Sequence, residues 1–454
     1  MVTSADAPAA MAGRQRLILF LLLGSQFMLS VDFSILNIAL PQVGAGVGLD
    51  LANLPWVVTA YALPTAGCTL LFGRIADLYG RRRLFLTGIA LLAVASVLGG
   101  FATSPGMLLT ARALQGLATA IATPAALSLL TTTFAEGPMR NRVLGLNGAL
   151  LSGGFTAGAL LGGVLVGGLN WHWAFWINVP IALLILVVTP LVVDASRAPI
   201  GVRLDVPGAV TVTVGLLAFV FGITNRNPYA FGSGVVLLGL FWVIERRATA
   251  PLASVQILNR PTVKWGNLGG LLALMTESGL IFLLTLYLQD VLRFEPLATG
   301  LIFGVPGLAS VVAGIVAGRF ISRFGTRAVL ITGLAVQSLF AAPLILLGPD
   351  RIGLALLVPA LFVGFFGHVT ALVAYMVTAT SGLPDKEQGL ATGLATLTQQ
   401  IAITLGIPVL AAIAATQPDL LSGIRLGIAA AVVATLLGVI LIRRGLRPGL
   451  VSSP

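Results

Sequence analysis

Gly73-Arg74-Ile75-Ala76-Asp77-Leu78-Tyr79-Gly80-Arg81-Arg82 and Gly318-Arg319-Phe320-Ile321-Ser322-Arg323-Phe324-Gly325-Thr326-Arg327 are two copies of one pattern. Both glycines, the first Arg and the last Arg coincide at an offset of 245 residues. That offset exceeds half of the 454-residue chain, so the two copies are separated by an insert. Each stretch is a short basic connection between long apolar runs. Across the chain 57% of residues are hydrophobic and 9% charged, with a mean hydropathy of +1.02. Repeated apolar runs of about 18 or more residues are the mark of helices that cross a bilayer. The composition excludes a soluble domain and predicts an all-α membrane protein.

Working outward from the repeat, the apolar runs divide into fourteen spans arranged six, two and six. The expected organisation is a tail over 1–16, a six-helix bundle over 17–193 and a central linker over 194–261 carrying two additional spans. A second six-helix bundle follows over 262–442, with a tail over 443–454. The eighth span, 230–244, is the shortest. Parallel repeats of six spans, with binding between the halves near the midplane, are a known transporter plan.

The net charge of +11 reports topology rather than a nucleic-acid partner. Twenty-one of the 26 basic residues fall in alternate loops and tails. The opposite loops hold only Arg226, Arg293, Arg351 and Arg425, and Arg112 alone sits inside a span. This positive-inside bias predicts that both termini are cytoplasmic. The single cysteine, Cys68, has no partner for an intrachain disulfide.

Two of the fifteen acidic residues, Asp32 and Glu277, lie deep inside apolar segments, and the offset of 245 carries one onto the other. A carboxylate in hydrocarbon costs about 2.5–3.5 kcal/mol on insertion scales, so such residues tend to mark an ion or substrate pathway. Their matched depths predict two acids facing a common passage between the halves and changing protonation as the halves rock. The alternative is a carboxylate bonded to a neighbouring helix as structural glue. Arg112 must also find carbonyls, water or a carboxylate, or else snorkel to the nearby interface. His368, Gln26, Asn37, Tyr61, Gln399 and Gln400 are candidate polar contacts in the passage. With two histidines far apart in sequence and no acid cluster, neither a metal site nor a nucleophilic site is expected.

Five stretches give the chain a resemblance to the major facilitator superfamily, and within it to the fourteen-span drug:proton antiporter branch. Asp32-Phe33-Ser34-Ile35-Leu36-Asn37-Ile38-Ala39-Leu40-Pro41 is similar to that branch's first-helix signature, whose acid is tied to proton or cationic-drug coupling. Gly73, Arg74, Asp77, Gly80, Arg81 and Arg82 match the superfamily's loop between the second and third spans, which implies a conformational latch; Leu78 replaces a commonly basic residue. Leu108 to Gly116 is similar to the fourth-helix motif with its buried Arg, here Arg112, which the family links to proton transfer. Gly145, Gly154, Gly158, Gly162 and Gly163 follow the antiporter spacing of the fifth helix, with Ala159 where the family carries proline. Trp171-His172-Trp173-Ala174-Phe175-Trp176-Ile177-Asn178-Val179-Pro180 resembles the run that opens the sixth span, with His172 in place of Arg. Its aromatics fit an interfacial anchor, not a binding site.

The resemblance implies a monomer in the cytoplasmic membrane that exports small amphipathic organic molecules in exchange for protons. No cofactor is implied, since the proton gradient supplies the energy. The same fold also serves proton-coupled uptake of nutrients. A non-transporting sensor would need a larger extramembrane surface than these loops provide, and an enzyme is not expected.

Overall fold

The computed structural model describes residues 13–50, 53–134, 138–194, 205–248, 257–381, 383 and 385–446. Among the described residues the regular structure is helical. The first group comprises α1 (Gly13–Val47), α2 (Trp56–Tyr79), α3 (Arg81–Gly100), α4 (Pro105–Thr133), α5 (Pro138–Gly168), and the short α6 (Trp173–Trp176) leading into α7 (Asn178–Val192). A hairpin of α8 (Val206–Thr224) and α9 (Pro228–Arg247) follows. The second group comprises α10 (Pro261–Leu286), α11 (Pro296–Phe324), α12 (Thr326–Ala341), α13 (Leu354–Thr380), α14 (Asp385–Ala414) and α15 (Leu420–Gly445). Among the described residues twelve helical segments are long and apolar enough to cross a bilayer. The other two long helices, α2 and α5, have 24 and 31 residues. The segment expected to be shortest, the eighth, is a 20-residue helix, α9.

The two basic stretches that define the repeat are not loops, as their charge suggests, but helix ends. The helix α2 runs on through Gly73 to Tyr79 and α3 begins at Arg81, so only Gly80 breaks the path. In the second copy α11 ends at Phe324 and α12 begins at Thr326, with Gly325 between. Gly80 and Gly325 both have positive φ, 102° and 80°. With ψ of 123° and 150°, both conformations belong almost entirely to glycine. Gly80→Ala and Gly325→Ala are each expected to lower stability by about 1–3 kcal/mol, read as a drop in the thermal midpoint of the detergent-solubilised protein.

The last Arg of each stretch has the same structural task. Arg82 Nη1 donates to the carbonyl of Val193 at 2.8 Å, at the end of α7. Its mate Arg327 donates to the carbonyls of Leu446 and Arg443, at the end of α15. Each guanidinium satisfies carbonyls that a helix C-terminus leaves without partners and sits at the negative end of its dipole. Another repeated contact lies inside the bundles. Gly88 of α3 packs against Ala118 and Ala122 of α4, as Gly333 of α12 packs against Gly367 and Ala371 of α13.

In the first group α1 packs on α5, α2 on α4, and α3 on α4 and α7; in the second, α10 packs on α14, α13 and α15, and α12 on α13. Arg14 at the start of α1 pairs with Asp194 beyond α7 at 2.7 Å, so helix starts α1 and α3 share a rim with the end of α7. At the opposite, far rim lie the start of α2, the end of α8 and the end of α14. Trp56 meets the Phe221 ring there at 5.9 Å, and Arg226 donates to the Ala415 carbonyl at 2.6 Å. Asp419, which caps α15 at this rim, is held below the usual carboxylate range by the Ser422 backbone amide.

Contacts between the two groups gather toward the far rim. Gly163 and Gly167 of α5 meet Leu297 and Gly300 at the start of α11. Gln42 of α1 donates to Gln289 after α10 at 2.9 Å, and Gln289 donates to the Ile38 carbonyl at 2.9 Å. Toward the other rim, Gly314 and Gly318 of α11 face open space, and Leu308, Val311 and Ile315 are exposed. The hairpin lies along the α2–α14 side: Thr213 of α8 donates to the Gly67 carbonyl at 2.6 Å, and α8 also packs on α14.

Candidate functional site

Asp32 sits near the middle of α1 and is fully buried. It is turned into the first group of helices, where α4 and α7 supply its partners. Gln115 Nε2 of α4 donates to Oδ1 at 2.9 Å, and Asn178 Nδ2 of α7 donates to the same oxygen at 2.5 Å. Arg112 Nη1 lies 3.5 Å from Oδ2, with both side chains closed to solvent. Gln115 Nε2 also donates to Ser96 Oγ of α3 at 3.0 Å.

The guanidinium is anchored on its other sides. Arg112 Nη1 donates to Gln115 Oε1 at 2.7 Å and Nε donates to the Val57 carbonyl at 3.0 Å. Its Cζ stands 4.3 Å from the centroid of the Tyr61 ring, a cation–π contact. The Tyr61 hydroxyl is paired with Thr119 Oγ1 at 2.7 Å. Arg112 therefore does not snorkel; it is one half of a buried ion pair. At an effective dielectric of about 20, two charges this close attract by roughly 5 kcal/mol. Desolvation costs several kcal/mol for each ion. The opposing terms are of similar size, so the pair is a poor source of stability.

Glu277 lies in the second group. Its Oε2 is 3.1 Å from His368 Nε2 of α13, and its side chain retains 16% exposure. Around the pair α10, α12 and α13 enclose a cavity of about 20 Å³, room for about one water molecule, which Gln337 also lines. The two acids therefore occupy the same place in the repeat without facing a common passage. Each is turned into its own bundle, because a buried charge is costly unless paired and the partners lie there.

The partners differ for a reason visible in the repeat. The Gly88 and Gly333 contacts place α4 and α13 in register at an offset of 249. That register puts Leu361 in the place of Arg112 and His368 in the place of Thr119, about two turns away along the helix. The repeat thus preserves the acid and changes its counter-group.

The other sequence candidates fall as follows. Gln26 and Asn37 are buried on α1, with Gln26 Nε2 and Asn37 Oδ1 lacking hydrogen-bond partners. Gln399 of α14 is half-buried and reaches Met376 Sδ at 3.4 Å. Gln400, also half-buried, accepts from Thr404 through its carbonyl. The Arg74 and Asp77 side chains and the burial of Gly145 lie outside the described residues. Gly154, Gly158 and Gly162 face the carbonyls of Phe27, Val31 and Ile35 on α1, whereas Gly163 faces α11. With Ala159 in place of proline, α5 runs as one uninterrupted helix.

Sequence reasoning missed Ser96, Gln115 and Asn178. The aromatic run opening the sixth span was expected to be an anchor alone, yet its Asn178 binds Asp32. Gln115 stands three residues after Arg112, so the two share a helix face. A polar residue inside an apolar span at that spacing was the available signal.

A chain that is helical throughout its described residues, with two related groups of helices and a buried ion pair in one of them, defines a membrane transporter class. Residues 22–407 match the Major Facilitator Superfamily, to which the chain belongs. It is a transporter of that superfamily and not an enzyme. It is 36% identical over 410 residues to the cephamycin export protein CmcT of Amycolatopsis lactamdurans, covering 85% of this chain and 82% of that one. It is 34% identical over 404 residues to the puromycin resistance protein pur8 of Streptomyces alboniger, covering 86% and 80%. Among solved structures it resembles a POT family transporter in complex with 5-aminolevulinic acid, with a TM-score of 0.73, 13% identity and coverage of 94% and 96%. It also resembles the human organic anion transporter MFSD10, with a TM-score of 0.65, 17% identity and coverage of 95% and 100%. At these identities the two structures speak to the fold alone.

Proposed function

We propose that this protein is a proton-coupled antiporter that exports small amphipathic organic compounds, of the antibiotic or toxic-cation kind, across the cytoplasmic membrane. The observation that carries the reading is the solvent-free Asp32–Arg112 pair, held by Gln115 and Asn178 inside a transporter bundle. Similarity to cephamycin export and puromycin resistance proteins supports export over uptake. In this reading α2 and α5 cross the bilayer with the other twelve, since their lengths of about 36 and 46 Å exceed a hydrocarbon core of about 30 Å. The bundles are then 17–193 and 262–442, with the hairpin carried by the linker 194–261, and the protein works as a monomer.

The basic-rich rim lies in the cytoplasm. The far rim, where Gly163 meets Gly300 and Gln42 meets Gln289, is then the outer side, and the described state is closed outward. Protonation of Asp32 from outside frees Arg112 in the outward-open state. Proton loss to the cytoplasm restores the pair and is linked to drug capture. Glu277 is the second coupling acid. Each charge carried through the full potential contributes about 2.3 kcal/mol per 100 mV. Gln26 and Asn37, with polar atoms lacking protein partners, are substrate contacts in this scheme, as are Gln399 and Gln400. Asp77 and the Arg residues beside it form the latch. Its cofactor is none.

Reconstituted protein is expected to move a fluorescent cationic drug against an imposed proton gradient, with protons flowing opposite to the drug. Drug and proton moving in the same direction would overturn antiport. Failure of expressing cells to gain resistance to any cationic, neutral or anionic antibiotic would overturn export.

A further inference from the structure

We propose that Glu277 and His368 act as one unit that holds a single proton, supplied from the outer side through a pocket inside the second bundle and separate from the Asp32 site. The inference rests on the proton-exchange reading above and assigns His368 and a route to it. A carboxylate and an imidazole 3.1 Å apart are neutral as a unit when they share one proton and carry −1 when they hold none. Taking up a proton thus removes net charge from the protein interior, and the imidazole gives that proton a second seat. His368 is 3% exposed, and its Nδ1 has no hydrogen-bond partner. Gln337 Oε1, on the same cavity, is likewise buried and without a partner.

The direction of the pocket follows from its lining. From Glu277 it continues to Leu284 along α10, from Gln337 to Leu344 beyond α12, and from His368 back to Ala360 along α13. All three paths lead toward the far rim, over about 10 Å of helix rise on α10. The pair lies at the inner end of this lining, and the outermost lining residues, Leu284, Leu344 and Ala360, are apolar and buried. No other titratable side chain lines the pocket among the described residues. On the neighbouring elements, Thr276 is tied to Thr435 of α15, while Tyr287 and Arg425 are engaged with the Gly348 and Leu347 carbonyls near the far rim. Arg319 and Arg323 of α11 and Arg327 of α12 lie at the opposite ends of their helices. Asp32 and Arg112 belong to the other bundle.

Infrared pH-difference spectra of the purified full-length protein test the pair without requiring transport. A protonated-carboxyl band is expected that Glu277→Gln removes, His368→Gln shifts along the pH axis, and Asp32→Asn leaves in place. A band that persists in Glu277→Gln, or that is indifferent to His368→Gln, overturns the pairing. In proteoliposomes, Glu277→Gln, His368→Gln and the double variant are expected to lose the same number of protons per drug molecule. Losses that add in the double variant would mean two independent sites and overturn the single unit. Ala360→Leu, which fills the pocket beyond the pair, is expected to slow proton loading from outside while leaving drug affinity unchanged; an unaltered loading rate overturns the route. Absence of drug-linked proton movement in the wild type overturns the exchange reading instead, and the infrared result still decides whether the pair binds a proton.

Discussion

Asp32→Asn is expected to leave the protein folded and inserted but to reduce proton-driven efflux to the background rate. The substitution nearly preserves volume and keeps an oxygen that can accept from Gln115 or Asn178, and Arg112, though left without its counter-charge, keeps Gln115 Oε1, the Val57 carbonyl and the Tyr61 ring, so packing survives. In the proposed scheme it removes the group that takes up the proton, and the amides bonded to it, Gln115 and Asn178, do not titrate. Arg112→Leu is expected to behave differently. It leaves a carboxylate buried without its counter-charge, and breaking one side of such a pair costs about 3–5 kcal/mol. The double variant Asp32→Asn/Arg112→Leu should recover much of that stability while remaining inactive in transport. Thermal melting in detergent and drug uptake into proteoliposomes under an imposed gradient separate the two effects. Gradient-driven transport at wild-type rates by Asp32→Asn would remove Asp32 from the coupling step. A double variant no more stable than Arg112→Leu alone would mean that the cost comes from lost packing of the arginine stem, not from the orphaned charge.

The second large effect is expected from two glycines on α5, Gly158 and Gly163, that serve different partners. A Cβ at Gly158 would lie 2.7 Å from the Val31 carbonyl and 2.8 Å from Ser34 Cβ, inside the first bundle. Both neighbours belong to the helix that carries Asp32, and neither can move away without shifting α1. Gly158→Val should therefore cost at least about 1–3 kcal/mol of overpacking in every conformation, seen as reduced yield and a lowered thermal midpoint. A Cβ at Gly163 would instead lie 2.9 Å from the Pro296 carbonyl and 3.1 Å from Gly300 Cα, across the contact that closes the far rim. In the proposed cycle the penalty there falls on the outward-closed state only. A differential of about 1–3 kcal/mol shifts a two-state population by roughly 5- to 150-fold. In a Cys68→Ser background, a reporter cysteine placed by Ala62→Cys, beside Thr404 on the α2–α14 contact, should label faster from outside in Gly163→Val. Gly153→Ala is the control, since that position faces open space. Equal labelling in Gly163→Val and Gly153→Ala would separate the α5–α11 contact from gating.

Much of the architecture was legible because bilayer crossing is a local demand on length and apolarity. The repeat and the intervening hairpin could be read without coordinates, since each depends on spacing along one chain. The helix ends were less legible. Charge in the stretches around Gly80 and Gly325 suggested loops, but at a membrane rim a helix can carry arginines outward, and only a glycine at positive φ stops it. The ring of partners around Asp32 was hidden for another reason. Ser96, Gln115 and Asn178 come from three helices, and which faces meet depends on how those helices rotate against one another.

Taken alone, the order of residues was enough for an all-helical membrane protein with two matching basic stretches 245 residues apart, because insertion energies act residue by residue. Packing alone decided that the acids turn away from each other into separate bundles, one against an arginine and the other against a histidine. A charge removed from water takes whichever counter-group its neighbouring helices bring within a few ångströms, and that proximity is a property of the assembled bundle.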